Sequence, residues 1–118
     1  MRLNEVAYTD ATPIDSYGPG FFRVGGELVQ GGLLTGPKGT SVWTGYEDSA
    51  VLLDLAGDID VLFVGTGVDI AHIPMQLRAD LEEAGIGVEV MNSPAACRTY
   101  NVLLSEGRRI ALAALPVN

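Results

Sequence analysis

Residues 85–116 read GIGVEVMNSPAACRTYNVLLSEGRRIALAALP, and this stretch decides the fold of the chain. The stretch Ile86–Met91 predicts a strand. Ser93 then predicts the N-cap of a helix that Gly107 ends, and Arg109–Leu115 predicts a second strand. A helix between two strands, joined to both by short loops, favours parallel pairing with a right-handed crossover.

The same alternation begins further upstream. Val61–Val64 is a continuous apolar run, which is typical of a strand buried on both faces. Pro74 suits the first position of a helix, where a missing N–H costs nothing, and Gly85 ends that helix. Residues 61–115 therefore predict a β-α-β-α-β unit.

The first 45 residues are rich in Gly, Thr and Pro. Gly25-Gly26 lies between Phe21–Val24 and Glu27–Gln30, which is the signal of a tight β-hairpin. Gly31-Gly32 indicates a bulge or a close backbone approach, and Ser41–Trp43 predicts another strand whose Trp43 fills the core or its edge. This half of the chain predicts an antiparallel meander.

Residues 46–60 are ambiguous. Asp48 or Ser49 could cap a short helix that runs through Leu55, whereas the run Val51–Leu53 could also form a strand. We favour the helix because Asp54 would fit poorly in a buried strand. The expected fold is a single domain over residues 1–118. It is a three-layer α/β fold in which the mixed sheet combines the C-terminal β-α-β-α-β unit with an N-terminal antiparallel β-hairpin or meander.

Composition excludes several classes of function. The formal net charge is −8, and the seven Lys and Arg residues form no cluster that would hold nucleic acid. No apolar run reaches the roughly 18 residues that a membrane span needs. The N-terminal sequence lacks the apolar core of a signal peptide, so we expect a cytoplasmic protein. The single cysteine cannot form an internal disulfide.

Two loops follow the carboxyl ends of neighbouring predicted strands. If these strands are parallel, both loops lie at the sheet edge where open α/β sheets bind ligands. Glycine N–H groups and a helix N-terminus there favour a small anion, although a purely structural turn is the alternative. The candidate ligand-binding residues are Gly65, Thr66, Gly67, Asn92, Ser93, Cys97 and Arg98. No catalytic residue is assigned. The third glycine of a dinucleotide fingerprint is missing and no spacing fits a metal site, so neither a cofactor nor a metal is predicted.

Cys97 offers two interpretations. A thiol near a helix N-terminus with Arg98 beside it can have a lowered pKa and react as a thiolate. His72, the only histidine, is predicted at the same edge and could act as its base. The alternative is a small buried residue that packs the helix onto the sheet, since unpaired cysteines are often buried. Thr99 and Asn101 are poor helix formers in the middle of this helix, which indicates a tertiary hydrogen bond.

The sequence resembles a family of small proteins of mostly unassigned function over nearly its whole length. That family includes the mitochondrial respiratory complex I assembly factor 3 and its bacterial and archaeal relatives. The residues that carry the resemblance are Gly65-Thr66-Gly67, Gly85-Ile86, Val88-Glu89-Val90, Ala96-Cys97, Thr99, Asn101, Glu106-Gly107-Arg108 and Ala113-Ala114-Leu115, with Tyr17-Gly18, Phe22 and Trp43 upstream. The resemblance implies one α/β domain with an added hairpin layer. It also implies action through a protein partner.

Three functions follow as expectations. The first is a non-enzymatic protein-interaction or assembly-factor-like domain. The second is a small anionic ligand-binding protein or enzyme that uses the edge around Gly65–Gly67 and Cys97. The third is a homo-oligomer in which an exposed β edge pairs with a second copy, since unpaired strand edges invite such pairing.

Overall fold

A computed structural model describes residues 11–118 of the chain. Within this range the strands are β1 (Ile14–Gly18), β2 (Phe21–Val24), β3 (Glu27–Gln30), β4 (Gly32–Gly36), β5 (Gly39–Trp43), β6 (Val61–Thr66), β7 (Gly87–Met91) and β8 (Ile110–Leu115). The helices are α1 (Ala50–Leu53), α2 (Met75–Glu83) and α3 (Ser93–Ser105). None of these helices is long and apolar enough to cross a membrane.

The strands form two sheets. The larger sheet has the order β5-β4-β8-β6-β7, in which β6 is parallel to both β7 and β8 and β4 is antiparallel to β5 and β8. The smaller sheet is an antiparallel meander of β1, β2 and β3. The predicted mixed sheet, the β-α-β-α-β unit and the β2–β3 hairpin are thus confirmed.

The N-terminal half does not form one meander, because its strands divide between the two sheets. Gly31 separates β3 from β4 with a φ of +92°, a left-handed conformation that favours glycine. Its N–H donates to the carbonyl oxygen of Gly20 at 2.8 Å. This corner sends β4 and β5 into the larger sheet, where β4 pairs with β8.

The larger sheet is covered on both faces, which confirms the three-layer prediction. One core lies between this sheet and the helices α1 and α2, and its buried members include Leu52, Leu62, Val64, Leu77 and Leu81. The other core lies between the same sheet, α3 and the smaller sheet, and it includes Phe22, Phe63, Ala96, Tyr100 and Leu112. The central strands β6 and β8 contribute side chains to both cores, so their sequences read as continuous apolar runs.

Both long helices end in the same way. Gly85 follows α2 with a φ of +88°, and Gly107 follows α3 with a φ of +78°. In α2 the N–H of Ile86 then donates back to the carbonyl oxygen of Leu81 at 3.0 Å, which is the Schellman arrangement. The two glycine stop signals are therefore confirmed.

Several predicted boundaries shift by one to a few residues. α1 ends at Leu53 because the amides of Leu55 and Ala56 bond to carbonyls three residues back, which tightens the chain out of α-helix. Pro74 occupies the N-cap position of α2, with a ψ of 135°, instead of the first helical position. β6 continues past Val64 to Thr66.

The predicted close approach at Gly31-Gly32 is found at Gly32. A Cβ atom at this position would overlap the carbonyl oxygen of Trp43 on the paired strand. Trp43 itself is buried, its indole N–H donates to the carbonyl oxygen of Asp48 at 3.3 Å, and its ring meets Tyr46 edge-on. Glycine at position 32 therefore lets β5 pass close to β4.

Asn101 makes the tertiary hydrogen bond that its position in the helix indicated. Its side-chain oxygen accepts from the N–H of Ile14 at 2.8 Å, and its side-chain nitrogen donates to the carbonyl oxygen of Ile14 at 2.9 Å. The amide thus replaces a strand partner at the start of β1, where the register of the β1–β2 pair also shifts. This contact joins α3 to the smaller sheet.

Replacing Asn101 with alanine should lower the free energy of unfolding by about 1–3 kcal/mol, because both backbone groups of Ile14 lose their partner. Urea unfolding followed by circular dichroism measures this. Val102→Ala on the exposed side of the same helix is the control and should change stability by less than about 0.5 kcal/mol. Equal effects of the two substitutions would contradict the assigned role of Asn101.

Candidate functional site

The predicted strand-end edge forms as expected. Gly65 of β6 is level with Met91 of β7, and Thr66 is level with Leu115 of β8, so the three carboxyl ends lie side by side. The loops after β6 and β7 therefore meet. Gly65, Thr66, Gly67, Asn92 and Ser93 all lie at this edge.

One hydroxyl joins the three chain segments at this edge. Ser93 Oγ accepts from the N–H of Gly67 at 2.9 Å and donates to the carbonyl oxygen of Leu115 at 2.6 Å. The N–H of Ser93 also donates to the carbonyl oxygen of Gly67 at 2.8 Å. We call these three residues the strand-end junction. Ser93 is only 1% exposed, so the junction is a buried polar contact whose groups are paired.

Gly65 is required by the junction. A Cβ atom on Gly65 would lie 2.6 Å from Ser93 Oγ and 2.9 Å from Ser93 Cα, which is closer than non-bonded atoms approach. The glycine therefore lets α3 begin directly against β6. Gly67 adopts a φ of +101°, which turns its N–H toward Ser93.

Asn92 is the N-cap of α3, and the prediction that Ser93 is the cap is wrong. The Asn92 side-chain oxygen accepts from the N–H of Ala95 at 2.8 Å. Ser93 becomes the first helical residue, and its own N–H is held by Gly67. Pro94 has no N–H to offer. The donors that an anion would use at this helix end are therefore engaged by internal acceptors.

Thr66 organises the loop that follows β6. Its hydroxyl donates to the carbonyl oxygen of Asp69 at 2.7 Å and accepts from the N–H of Ala71 at 3.1 Å. The Thr66 oxygen also lies 3.2 Å from the carbonyl oxygen of Met91. These contacts fix the course of residues 67–71 against the end of β7.

Cys97 packs in the core and Arg98 points to solvent. Cys97 is 3% exposed, and burial raises the pKa of its thiol from 9.0 to about 11, while the charge of Arg98 lowers it by less. His72 is exposed beside Ile73, which packs in the core on the other face of the larger sheet. The suggested pair of Cys97 and His72 therefore does not form.

Tyr100 carries a second buried ionisable group. Its hydroxyl has no hydrogen-bond partner within residues 11–118. Burial raises the pKa of Tyr100 to about 12, and the nearby Thr35 hydroxyl opposes this rise. Thr35 instead pairs with the hydroxyl of Thr40 at 2.8 Å. Neither Cys97 nor Tyr100 is ionised near neutral pH, so neither supplies a nucleophile or a base there.

The structure has an apolar groove beside β7 that was not predicted from the sequence. It encloses about 720 Å³, and its lining includes Ile70, Ile73, Met75, Arg78 and Val90. The side chains of Ile70 and Met75 are 65% and 88% exposed. The signal was present in the run VDIAHIPM at residues 68–75, in which apolar residues recur within a loop. We call this surface the β7 groove.

The part of the chain that the structure describes holds no group of three or more His, Cys, Asp or Glu side chains placed to bind a metal ion. Its ion pairs are exposed pairs, such as Lys38 with Asp54 at 3.2 Å and Arg78 with Glu82 at 3.3 Å. Exposed pairs of this kind typically contribute about 0–1 kcal/mol to stability, so they do not mark a buried charged site.

The chain is similar to several known proteins. A family model described as a protein of unknown function (DUF498/DUF598) matches residues 14–115. An uncharacterised protein of Rhodobacter capsulatus is 49% identical, and the match covers 99% of this chain and 94% of that protein. A crystal structure described as an outer membrane protein from Bartonella henselae superposes with a TM-score of 0.85 at 37% identity, covering 92% of this chain and 97% of that one.

A more distant relative carries a functional name. A Danio rerio protein named NADH dehydrogenase (ubiquinone) 1 alpha subcomplex assembly factor 3 is 33% identical over 112 residues. The match covers 89% of this chain but only 64% of the Danio rerio protein. The chain therefore spans less than two thirds of that relative.

Replacing Ser93 with alanine should lower the free energy of unfolding by about 1–3 kcal/mol, because the buried N–H of Gly67 and the part-buried carbonyl of Leu115 lose their partner. Ser105→Ala is the matched control, since the Ser105 hydroxyl is exposed and bonds only within its own helix. Urea unfolding of both variants gives the comparison. A Ser93 variant as stable as the Ser105 variant would show that the junction does not stabilise the fold.

Iodoacetamide should alkylate Cys97 slowly in the folded protein at neutral pH. Burial disfavours the thiolate and raises the pKa to about 11, so the alkylation rate should climb only as pH approaches that value. The urea-unfolded chain should react with the pH profile of an ordinary thiol. Rapid alkylation of the folded protein with a pKa at or below the ordinary value would contradict this assignment.

Proposed function

We propose that this chain, which belongs to the DUF498/DUF598 family of proteins of unknown function, is a non-enzymatic protein-interaction domain that holds a partner protein during its assembly. The observation that carries the proposal is the β7 groove. The assembly-factor name of the Danio rerio relative supports the same class of function.

The β7 groove has the character of a protein-binding surface. Exposed apolar grooves with polar rims often mark the sites at which a protein binds another protein. Here Ile70 and Met75 line the groove and are 65% and 88% exposed. Covering these two side chains would stabilise a complex by roughly 1.5–3 kcal/mol for each fully buried side chain, before the costs of association.

The strand-end edge favours a structural role over catalysis. Gly67, Ser93 and Ala95 already donate their N–H groups to internal acceptors. A small anion bound there would have to displace those acceptors at a cost in hydrogen bonds. The protonated state of Cys97 near neutral pH removes the most obvious nucleophile. The anion-binding or enzymatic alternative stays a prediction that needs this edge to rearrange.

Charge indicates the kind of partner. The net charge of −8 gives the surface an acidic field that attracts basic protein surfaces and accelerates their encounter. Association with an acidic partner would be opposed by the same field. A partner with an apolar segment and a basic surround fits both the β7 groove and the net charge.

The test is capture of the partner from the native cells by the full-length tagged chain, with cross-linking and mass spectrometry. A double substitution, Ile70→Ser with Met75→Ser, should remove the captured protein, and cross-links of the unaltered chain should map beside the β7 groove. Val42→Ser is the matched control, because Val42 is 56% exposed on β5 at the opposite edge of the sheet. The same capture by both variants, or cross-links that avoid the groove, would overturn the proposal.

A further inference from the structure

We propose that the outer edge of β7 binds an extended segment of the partner protein as an added strand. The segment places apolar side chains in the β7 groove and a Lys or Arg side chain opposite Glu89. This inference rests on the proposed function and names the chemistry of the partner segment and its mode of binding.

The backbone of β7 has an unpaired side. β7 is the last strand of the larger sheet, and no residue of 11–118 pairs with its outer edge. The N–H of Gly87 donates to the carbonyl oxygen of Asp60 at 2.8 Å, so Gly87 faces β6. Because the bonding direction alternates along a strand, the N–H and C=O groups of Val88 and Val90 point outward. These two residues therefore offer two N–H groups and two C=O groups to an added strand.

Arg78 covers one of the four groups. Its guanidinium donates to the carbonyl oxygen of Val88 at 3.4 Å and also contacts Glu82 at 3.3 Å. A charged side chain near an open strand edge is a common protection against unwanted pairing. The contact is long and the Arg78 side chain is 42% exposed, so an arriving strand can displace it at low cost.

Side chains of an added strand would alternate between two different environments. Val88 and Val90 point to the face that carries α2, where Val90 lines the β7 groove together with Ile73 and Met75. Neighbouring side chains on an added strand at this level would extend into the same groove. Apolar residues at every second position would therefore be covered. In strand addition of this kind, main-chain hydrogen bonds provide the affinity, and pockets for alternate side chains provide the specificity.

The opposite face carries Glu89. Glu89 is exposed, and Met91 beside it on the same face packs against the core of α3. A side chain directly across from Glu89 interacts with its carboxylate, so a basic residue is favoured and an acidic residue is opposed. The net charge of −8 favours a basic segment as well.

The same residue argues against a second copy of this chain as the occupant. The two-fold pairing that uses both outward valines sets Val88 of one copy opposite Val90 of the other. Glu89 then faces Glu89 directly across the pair, and like charges in that position are destabilising. Two copies with a charge of −8 each would add long-range repulsion. The occupant that fits is a segment of a different protein that alternates apolar and basic residues.

Binding of synthetic peptides to the full chain tests whether the bound segment alternates apolar and basic residues. A fluorescein-labelled peptide that alternates Val and Lys should bind, as measured by fluorescence anisotropy at low salt. A peptide that alternates Val and Glu should bind several-fold more weakly, and a Val-Lys peptide with N-methylated backbone amides should not bind. Equal binding of the N-methylated peptide would overturn strand addition, because its amides cannot donate to the carbonyl groups of β7 and its methyl groups stand in the way of strand pairing.

Two variants and one control locate the peptide-binding surface. Glu89→Lys should reverse the preference between the Lys and Glu peptides without changing the urea midpoint, since Glu89 is exposed. Met75→Ser should weaken both peptides, and Val42→Ser at the far edge should weaken neither. An unchanged peptide preference in the Glu89 variant would overturn the proposed pairing. A stable dimer of the unaltered chain that Met75→Ser dissociates would also overturn it, with a second copy as the occupant.

The outcomes separate this inference from the proposed function. If the native partner is captured through the β7 groove but Glu89→Lys has no effect on peptides or partner, strand addition is wrong and the protein-interaction function stands. If capture depends on neither the groove nor Glu89, the proposed function fails together with this inference.

Discussion

The hydroxyl of Ser93 is the contact on which the arrangement of the fold depends. It holds the loop after β6 and the end of β8 against the first residue of α3. These three segments are distant in sequence, and the contact fixes them at one edge of the sheet. Gly65 is its steric counterpart, since any side chain there would push α3 away. The β-α-β-α-β unit is therefore closed at the end where α/β sheets often remain open.

Because the strand ends are closed, the side of the sheet along β7 is the better candidate for a functional surface. The N–H donors at the strand-end edge are bonded to internal acceptors, whereas β7 presents outward backbone groups and an apolar groove together. The two features are coupled through Thr66. It fixes the start of the loop that carries Ile70 across the groove, and it lies beside the end of β7. Thr66, the neighbour of Gly67 in the strand-end junction, thus supports the exposed surface.

Local signals in the sequence predicted the local structure well. Gly25-Gly26 turns the β2–β3 hairpin with positive φ angles of 59° and 84°, and the glycines after α2 and α3 end those helices. These features depend on neighbouring residues, so the sequence shows them directly. The shared sheet edge also followed, because parallel pairing of apolar runs leaves few arrangements.

The features that the sequence did not predict depend on contacts between residues that are distant along the chain. Asn92 and Ser93 are both good N-caps, and Asn92 became the cap because Gly67 and Leu115 engage the Ser93 hydroxyl. The pairing of β4 with β8 joins segments about 80 residues apart and has no local signature. The β7 groove depends on the sheet edge beside it, which only the strand order reveals.

Residue-by-residue amide hydrogen exchange of the native chain, measured by NMR, tests whether the strand ends are closed and the β7 edge is open. We expect slow exchange at Gly67, Ala95 and Gly87, whose N–H groups are bonded, and fast exchange at Val88 and Val90. Fast exchange at Gly67 and Ala95 with protection of Val88 and Val90 would contradict this expectation.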